Sequence, residues 1–298
     1  MKKVLILFIA LLVALSACQS VDPNTPAPIY ATGLNPDLWV SIPAGSFLSG
    51  QFDEEAFIDY DYEIMVTDVT NAQYAEFLNS ALADSYIKIN GQQVVGEYEG
   101  EPFDGGRHEV EIAAGDYVYL PMDDEALRIN FTDTTFSAKD EWANHPMTMV
   151  SWFGANAYCA YYGWELPSEL EWEKAARGSD NRPFPWGETI SHENANYIAS
   201  RDPFEDMSSF GSRTTPVGFF NGQTYDGFST IDSKSPYGLY DMAGNVWQWT
   251  RDNYESQHYR YMRGGSANMY PNQLRIWQRN SATPTFYSPF VGFRCVKK

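Results

Sequence analysis

The sequence predicts an α+β fold, and three observations carry the prediction. Helical periodicity is confined to three segments, at about 70–83, 151–163 and 167–178. The segments after the third helix are short, turn-punctuated and rich in β-forming residues. Helices and strands do not alternate and no repeat of fixed period appears, so an alternating α/β architecture is disfavoured. With 44% hydrophobic and 16% aromatic residues, 298 residues suffice for a packed core.

The chain opens on MKK and the 14-residue apolar run VLILFIALLVALSA, which is short for a membrane span. Leu15 to Cys18 read LSAC, similar to the bacterial lipobox. Residues 1–17 are therefore expected to be a lipoprotein signal peptide, with Cys18 lipidated. That places the protein in the bacterial cell envelope, lipid-anchored and extracytoplasmic, at the outer membrane in a Gram-negative cell. Residues 18–36 lack periodicity and are Pro-rich, as a flexible tether would be. The folded domain is expected over 37–298. Lys2 and Lys3 leave with the signal, so 20 basic residues fall to 18 against 39 acidic, a net −21. Such a surface repels phosphate backbones and offers no basic patch to lipid. Nucleic acid is not an expected partner, and the membrane is met only through the lipid anchor.

From Trp39, WVSIPAGSF reads as broken β structure. TNAQYAEFLNSALA begins with the Thr70/Gln73 capping-box pair and repeats Tyr74, Phe77, Leu78, Ala81 and Leu82 on one helical face. Residues 84–141 form an acidic insertion, read as loops and short strands on the surface. Between Glu97 and Glu141 it holds thirteen acidic and three basic residues. Glu99, Glu101 and Asp104 could gather a cation there, although the ligand spacing of a calcium loop is missing. The second helix starts at Ser151 and ends at Gly163, with Trp152, Ala155, Cys159 and Tyr162 on one inward face. The third runs from the Ser168/Glu171 capping box to Gly178. If Cys18 carries lipid, Cys159 and Cys295 remain, either as a disulfide or as two buried thiols.

HPMTMVSWFGANAYCAYYGWELPSELEWEKAARG, FPWGE, YGLYDMAGNVWQWTRD and RGGS…LRIWQRNSATP…VGFRC occur in this order. Together with WVSIPAGSF and EIMVTDVTNAQYAEFLN they resemble the formylglycine-generating enzyme (sulfatase-modifying factor) family over about 39–298. The resemblance implies a C-type-lectin-like fold with few helices, small sheets and long irregular loops. It also implies a Cys159–Cys295 disulfide. Active relatives hold copper with a cysteine pair downstream of GGS, and the matching positions here are Met269 and Leu274. A lone thioether cannot replace two thiolates, so no copper is expected. Of the four histidines, His108, His145, His192 and His258, none is paired at the i, i+4 spacing of a ready metal face. Calcium is the cofactor the resemblance leaves. One site would use the Asp241 side chain, the Gly244 and Val246 carbonyls and the Gln248 side chain. A second would use Asn196, the Tyr197 carbonyl and Asp206. Asp241 fits an Asx turn equally well.

Trp247 and Ser266 match the family's cleft, and Asn268, Tyr270, Asn272, Arg275, Trp277 and Arg279 fall on the same wall. Arg279 and Arg294 are expected to be buried structural arginines. Ser266 has no visible histidine partner, so a hydrolytic triad is unsupported. The expected function is a non-catalytic ligand- or protein-binding module, its partner an envelope protein, peptide or glycan. The alternative is an oxidoreductase of the same superfamily using non-haem iron or another metal.

Overall fold

Thr70 ends an extended run and starts α1 (Asn71–Ala83). Its side chain accepts from the Gln73 backbone N–H while Gln73 returns a bond to the Thr70 N–H. α1 buries Tyr74, Phe77, Leu78 and Ala81 of the expected face, while Leu82, near the helix end, is half-buried. Ser151 caps α2 (Trp152–Tyr161) by accepting from Gly154 N, and Gly163, at φ +75°, turns the chain away. Cys159 points inward as expected, but Tyr162 is the C-cap and is exposed, because it lies past the last helical turn. Ser168 and Glu171 box the start of α3 (Glu169–Arg177), and Gly178 ends it. The structure, a computed structural model, describes residues 27–103, 105, 111–206, 211–254 and 258–298. The expected signal segment, Cys18, Asp104, His108 and the Asp206 side chain lie outside the described residues.

The strands form small sheets. β1 (Trp39–Ile42), β4 (Tyr62–Met65) and β18 (Val296–Lys297) make one sheet, closing the C-terminus against the start of the domain. β2 (Gly45–Ser49) and β3 (Glu54–Ile58) form a hairpin over α3. β5 (Ile87–Asn90), β6 (Gln93–Tyr98) and β7 (Gly115–Pro121) make an antiparallel meander. Three further hairpins are β8 (Ile129–Thr132) with β9 (Thr135–Ala138), β10 (Glu205–Asp206) with β11 (Gly211–Ser212), and β12 (Thr224–Tyr225) with β13 (Phe228–Ser229). The largest sheet runs β16 (Arg279–Ala282), β15 (Tyr259–Arg263), β14 (Trp247–Tyr254), β17 (Val291–Gly292), with β17 parallel to β14.

The main core joins α1, α2, β14 and Phe293. Residues 84–141 belong to it as well, which corrects their reading as a surface insertion. Ile87, Val94, Leu120, Leu127, Ile129 and Phe136 are all buried in that core. These buried apolar residues, Leu127 apart, sit in the short strands, whereas all of the segment's acidic residues except Glu97 and Asp116 lie outside them, so a charge count over the whole segment hides the apolar face. β7 also caps α2: Ser151 N donates to Tyr119 O and Ser151 Oγ to Val118 O. A second core packs Trp172 and Ala175 of α3 against Ile42, Ile64 and Ile276. Within the main core, Cys159 and Cys295 form a disulfide, with an S–S distance of 2.04 Å.

Candidate binding cleft

The stretch after β15 turns back on itself through Gly264 and Gly265, at φ +95° and +72°. A Cβ on Gly265 would stand 2.9 Å from the Gln273 carbonyl, so the turn and the 3-10 segment Pro271–Leu274 must touch. Ser266 comes next, fully buried, its hydroxyl donating to Asn268 Oδ1 at 2.7 Å. Ala267 N donates to Asn245 O, and Ile198 N to Met269 O, which fastens the wall to two neighbouring loops. Tyr270 is 61% exposed and starts the 3-10 turn, its N–H held by Gln273 Oε1. Beyond the turn, Leu274 and Ile276 face inward while Arg275 is exposed.

Trp277 is half-buried between two guanidinium groups, with Arg275 at 5.7 Å and Arg177 at 5.4 Å from its ring centroid. Arg177 is anchored by Glu173 and Asp53. Trp247, by contrast, is a core residue, 5% exposed. The buried indole N–H groups of Trp247 and Trp277 have no acceptor among the described residues. The expected cleft residues therefore divide. Ser266 and Asn268 touch, Arg275 and Trp277 touch, and Tyr270 and Arg275 are exposed while Trp277 is half-buried. Met269 and Leu274 pack with the apolar cluster of Phe184, Ala195 and Tyr197.

Arg294 is the buried structural arginine expected. It donates to the Met65, Val66 and Tyr240 carbonyls, to Asp68 and to Gln248. Arg279 is not: its side chain is 49% exposed, on strand β16, and pairs with Glu169. Position in the sheet explains the difference, since β16 ends the sheet whereas Arg294 lies between two cores.

The expected calcium ligands are not assembled as a cage. Gln248 Oε1 accepts from Trp172 Nε1 at 2.7 Å and from Arg294 Nε at 2.9 Å, while its Nε2 donates to Asp241 O. An oxygen already taken by two donors is not free for a cation, so the residues present do not fit the four-ligand set. Asp241, at φ +57°, turns its Oδ2 to the Gly218 N–H. Burial pushes its carboxyl up to about 6, against the opposing pull of that N–H and of Arg294. Gly244 and Val246 share the loop; a Cβ on Gly244 would meet Asn196 O at 2.4 Å. Asn196 gives its Nδ2 to Arg213 O and its carbonyl to Asn245 N. Tyr197 is largely buried in the apolar cluster. Glu101, read as a cation ligand, instead binds Tyr98, His258 and Arg260. Among the described residues no group of three or more His, Cys, Asp or Glu side chains converges on a metal position.

Residues 30–298 match the family model of the sulfatase-modifying factor enzyme 1-like domain. The chain belongs to this family. It is 37% identical over 162 residues to the bovine (Bos taurus) inactive C-alpha-formylglycine-generating enzyme 2, covering 50% of this chain and 49% of that one. The chain thus spans about half the length of that relative. With mouse (Mus musculus) formylglycine-generating enzyme it shares 28% over 316 residues, covering 94% and 81%. In fold it resembles PvdO from Pseudomonas aeruginosa at a TM-score of 0.55 and 20% identity, over 91% of this chain and 98% of PvdO. This sulfatase-modifying-factor-like chain has the α+β architecture expected for it. Sequence reasoning missed the buried ion pairs of Arg263 with Glu169 and Glu173, because the partners are about 90 residues apart and share no local spacing.

Proposed function

We propose that the chain is a non-catalytic binding module, anchored in the bacterial envelope through Cys18, whose 263–294 wall takes an envelope protein, peptide or glycan. One observation carries the reading: Tyr270 and Arg275 stand exposed, and Trp277 half-exposed, on a wall whose other members are fixed by buried hydrogen bonds. Aromatic and Arg side chains on a rigid backing are the usual anchors of recognition. Ser266, which a hydrolase would need activated, gives its proton to an amide oxygen and has no base beside it among the described residues. The bovine relative's designation as inactive supports the same conclusion.

The test uses the lipidated protein in detergent, immobilised beside Trp277→Ala and Arg275→Ala variants and exposed to envelope proteins, peptides and glycans. One ligand should be retained by the wild type and lost, at least tenfold, from both variants with unchanged circular dichroism. Stoichiometric copper or iron, together with oxygen consumption on a cysteine-containing peptide, would overturn the reading in favour of an oxidoreductase.

A further inference from the structure

An open pocket of about 300 Å³ lies where β1, the first half of α1 and the end of α2 come together. Four aromatic side chains line it, Trp39, Tyr158, Tyr162 and Trp164, together with two carboxylates, Asp37 and Glu76. The rings meet at steep angles. Trp39 and Trp164 stand 4.7 Å apart at 63°, and Tyr158 and Tyr162 stand 5.2 Å apart at 66°. Tyr162 and Trp164 stack at 4.9 Å and so join the two corners. Only Tyr158 is covered; Tyr162 is exposed and both tryptophans are half-buried. Aromatic rings set at an angle around an opening, with part of their faces bare, are a known way of holding organic cations.

The charge of the pocket has the matching sign. Asp37 is held in place, since Gln73 Nε2 donates to its Oδ1 at 2.8 Å and Gln73 is itself fixed by the capping box of α1. The second oxygen of Asp37 accepts no hydrogen bond among the described residues. Glu76 has neither a hydrogen-bond nor an ion-pair partner among them. Tyr158 is 3% exposed, yet its hydroxyl also lacks a hydrogen-bond partner among the described residues. Buried hydroxyls normally find one, and this one lies on the pocket wall. Burial first, then the Tyr162 phenol and the charges of Asp37 and Glu76, pushes the Tyr158 phenol up; burial followed by Glu76 does the same to Tyr162. Both carboxylates therefore spread negative potential over the aromatic corner. The chain itself sets an ammonium group against this wall: Lys297 Nζ lies 4.5 Å from the Trp39 ring centroid. Lys297 is paired with Glu63 at 3.1 Å and does not line the pocket, so it leaves Asp37 and Glu76 unanswered.

We propose that this pocket binds an organic ammonium group, its charge facing Asp37, Glu76 and the faces of Trp39 and Trp164. The volume is at the small end of ligand sites and suits a lysine side chain or a molecule the size of choline. The pocket shares no residue with the 263–294 wall and stands whether or not that wall binds a partner. The experiment is isothermal titration of the whole protein with three compounds, sodium chloride balancing the ionic strength. They are choline, Nα-acetyl-lysine amide, and the neutral isostere in which carbon replaces the choline nitrogen. At least one of the two cations should bind saturably at one site, and the isostere at least about tenfold more weakly. Tighter binding of choline identifies a free quaternary ammonium ion as the ligand; tighter binding of the lysine derivative identifies a peptide side chain. Glu76→Gln and Trp164→Leu should each weaken the cation by about fivefold or more, whereas Glu125→Gln, exposed and outside the pocket, should leave it unchanged. Glu76 is exposed and makes no bond that its replacement would break, so that variant keeps the test sound if Trp164→Leu fails to fold. The proposal fails if neither cation binds beyond the sodium control, if the isostere binds as tightly as the cations, or if Glu76→Gln binds as the wild type does.

Discussion

Breaking the Cys159–Cys295 bridge should cost more stability than any single core truncation. The two cysteines are 136 residues apart, so the bridge closes a loop spanning nearly half of the chain. In the chain-entropy model a loop of that length restricts the unfolded state by about 5 kcal/mol. The native side has little to compensate its loss. β18, directly after Cys295, is two residues long and holds β4 through Val296 and Lys297 alone. Its other backbone contact is the bridge between Val296 and Glu165. For a domain of this size, 5 kcal/mol corresponds to a fall in Tm of about 10 °C or more. The assay is equilibrium denaturation of the wild type and of the Cys159→Ala/Cys295→Ala double variant, tracked by tryptophan fluorescence. Unreduced peptide mapping must show the linkage in the wild type. A double variant within about 1 kcal/mol of the wild type would refute the entropic argument, and two alkylatable thiols would refute the bridge.

His145 is 1% exposed, and burial pushes its imidazole down to about 3. The unfolded state therefore binds its proton first, as pH falls through about 6.5, and the folded state does not do so until about 3. Its contribution is complete above pH 7 and is lost progressively below; by pH 4.5 the loss is on the order of 3 kcal/mol. Asp241, raised to about 6, acts with the opposite sign, its share falling as pH rises from about 4 to 6. His145→Gln should flatten the decline in Tm between pH 7 and 4.5; an unchanged slope would remove His145 as its source. Gln248→Ala leaves Trp172 Nε1, Arg294 Nε and the Asp241 carbonyl without partners. It should cost about 3–5 kcal/mol in urea denaturation, and a loss below about 1 kcal/mol would contradict the network. Gly244→Ala would place a methyl 2.4 Å from Asn196 O at φ +82°, so soluble yield and Tm should both drop, and a normal Tm would show that the loop yields easily.

The helices were legible because their signals are local. Thr70 with Gln73, Ser168 with Glu171, and the glycines at 163 and 178 act within a turn of where they stand. The inner face of 84–141 was less legible, since strands of four to seven residues give too few alternations to stand out against surrounding acid. Of the polar interior, Arg294 was legible and little else. Glu169, Glu171, Glu173, Lys174 and Arg177 are charged residues of α3, and all are buried. What permits their burial comes from afar: Arg263 and Arg251 from the large sheet, the Pro43 and Gly45 carbonyls from the start of the domain.

The same non-local polarity explains how a wall with so little regular structure stays in place. Gln248 ties Trp172 of α3, Arg294 beside β18 and the Asp241 carbonyl to β14. Arg294 then carries the connection to Asp68 and to the carbonyls of Met65 and Val66, more than 220 residues away in sequence. Removing any one of these partners strands a buried polar or charged group, which makes the network cooperative and stiff. The loop from Ser266 to Trp277 is therefore fixed from behind, through Asn245 and Met269, while Tyr270 and Arg275 face outward with few contacts of their own. Substitutions on the outer face leave the scaffold unstrained, whereas those at Gln248 or Arg294 unfasten it. A surface held this way loses little entropy when a partner docks, which is a stronger argument for recognition than the composition of the wall alone.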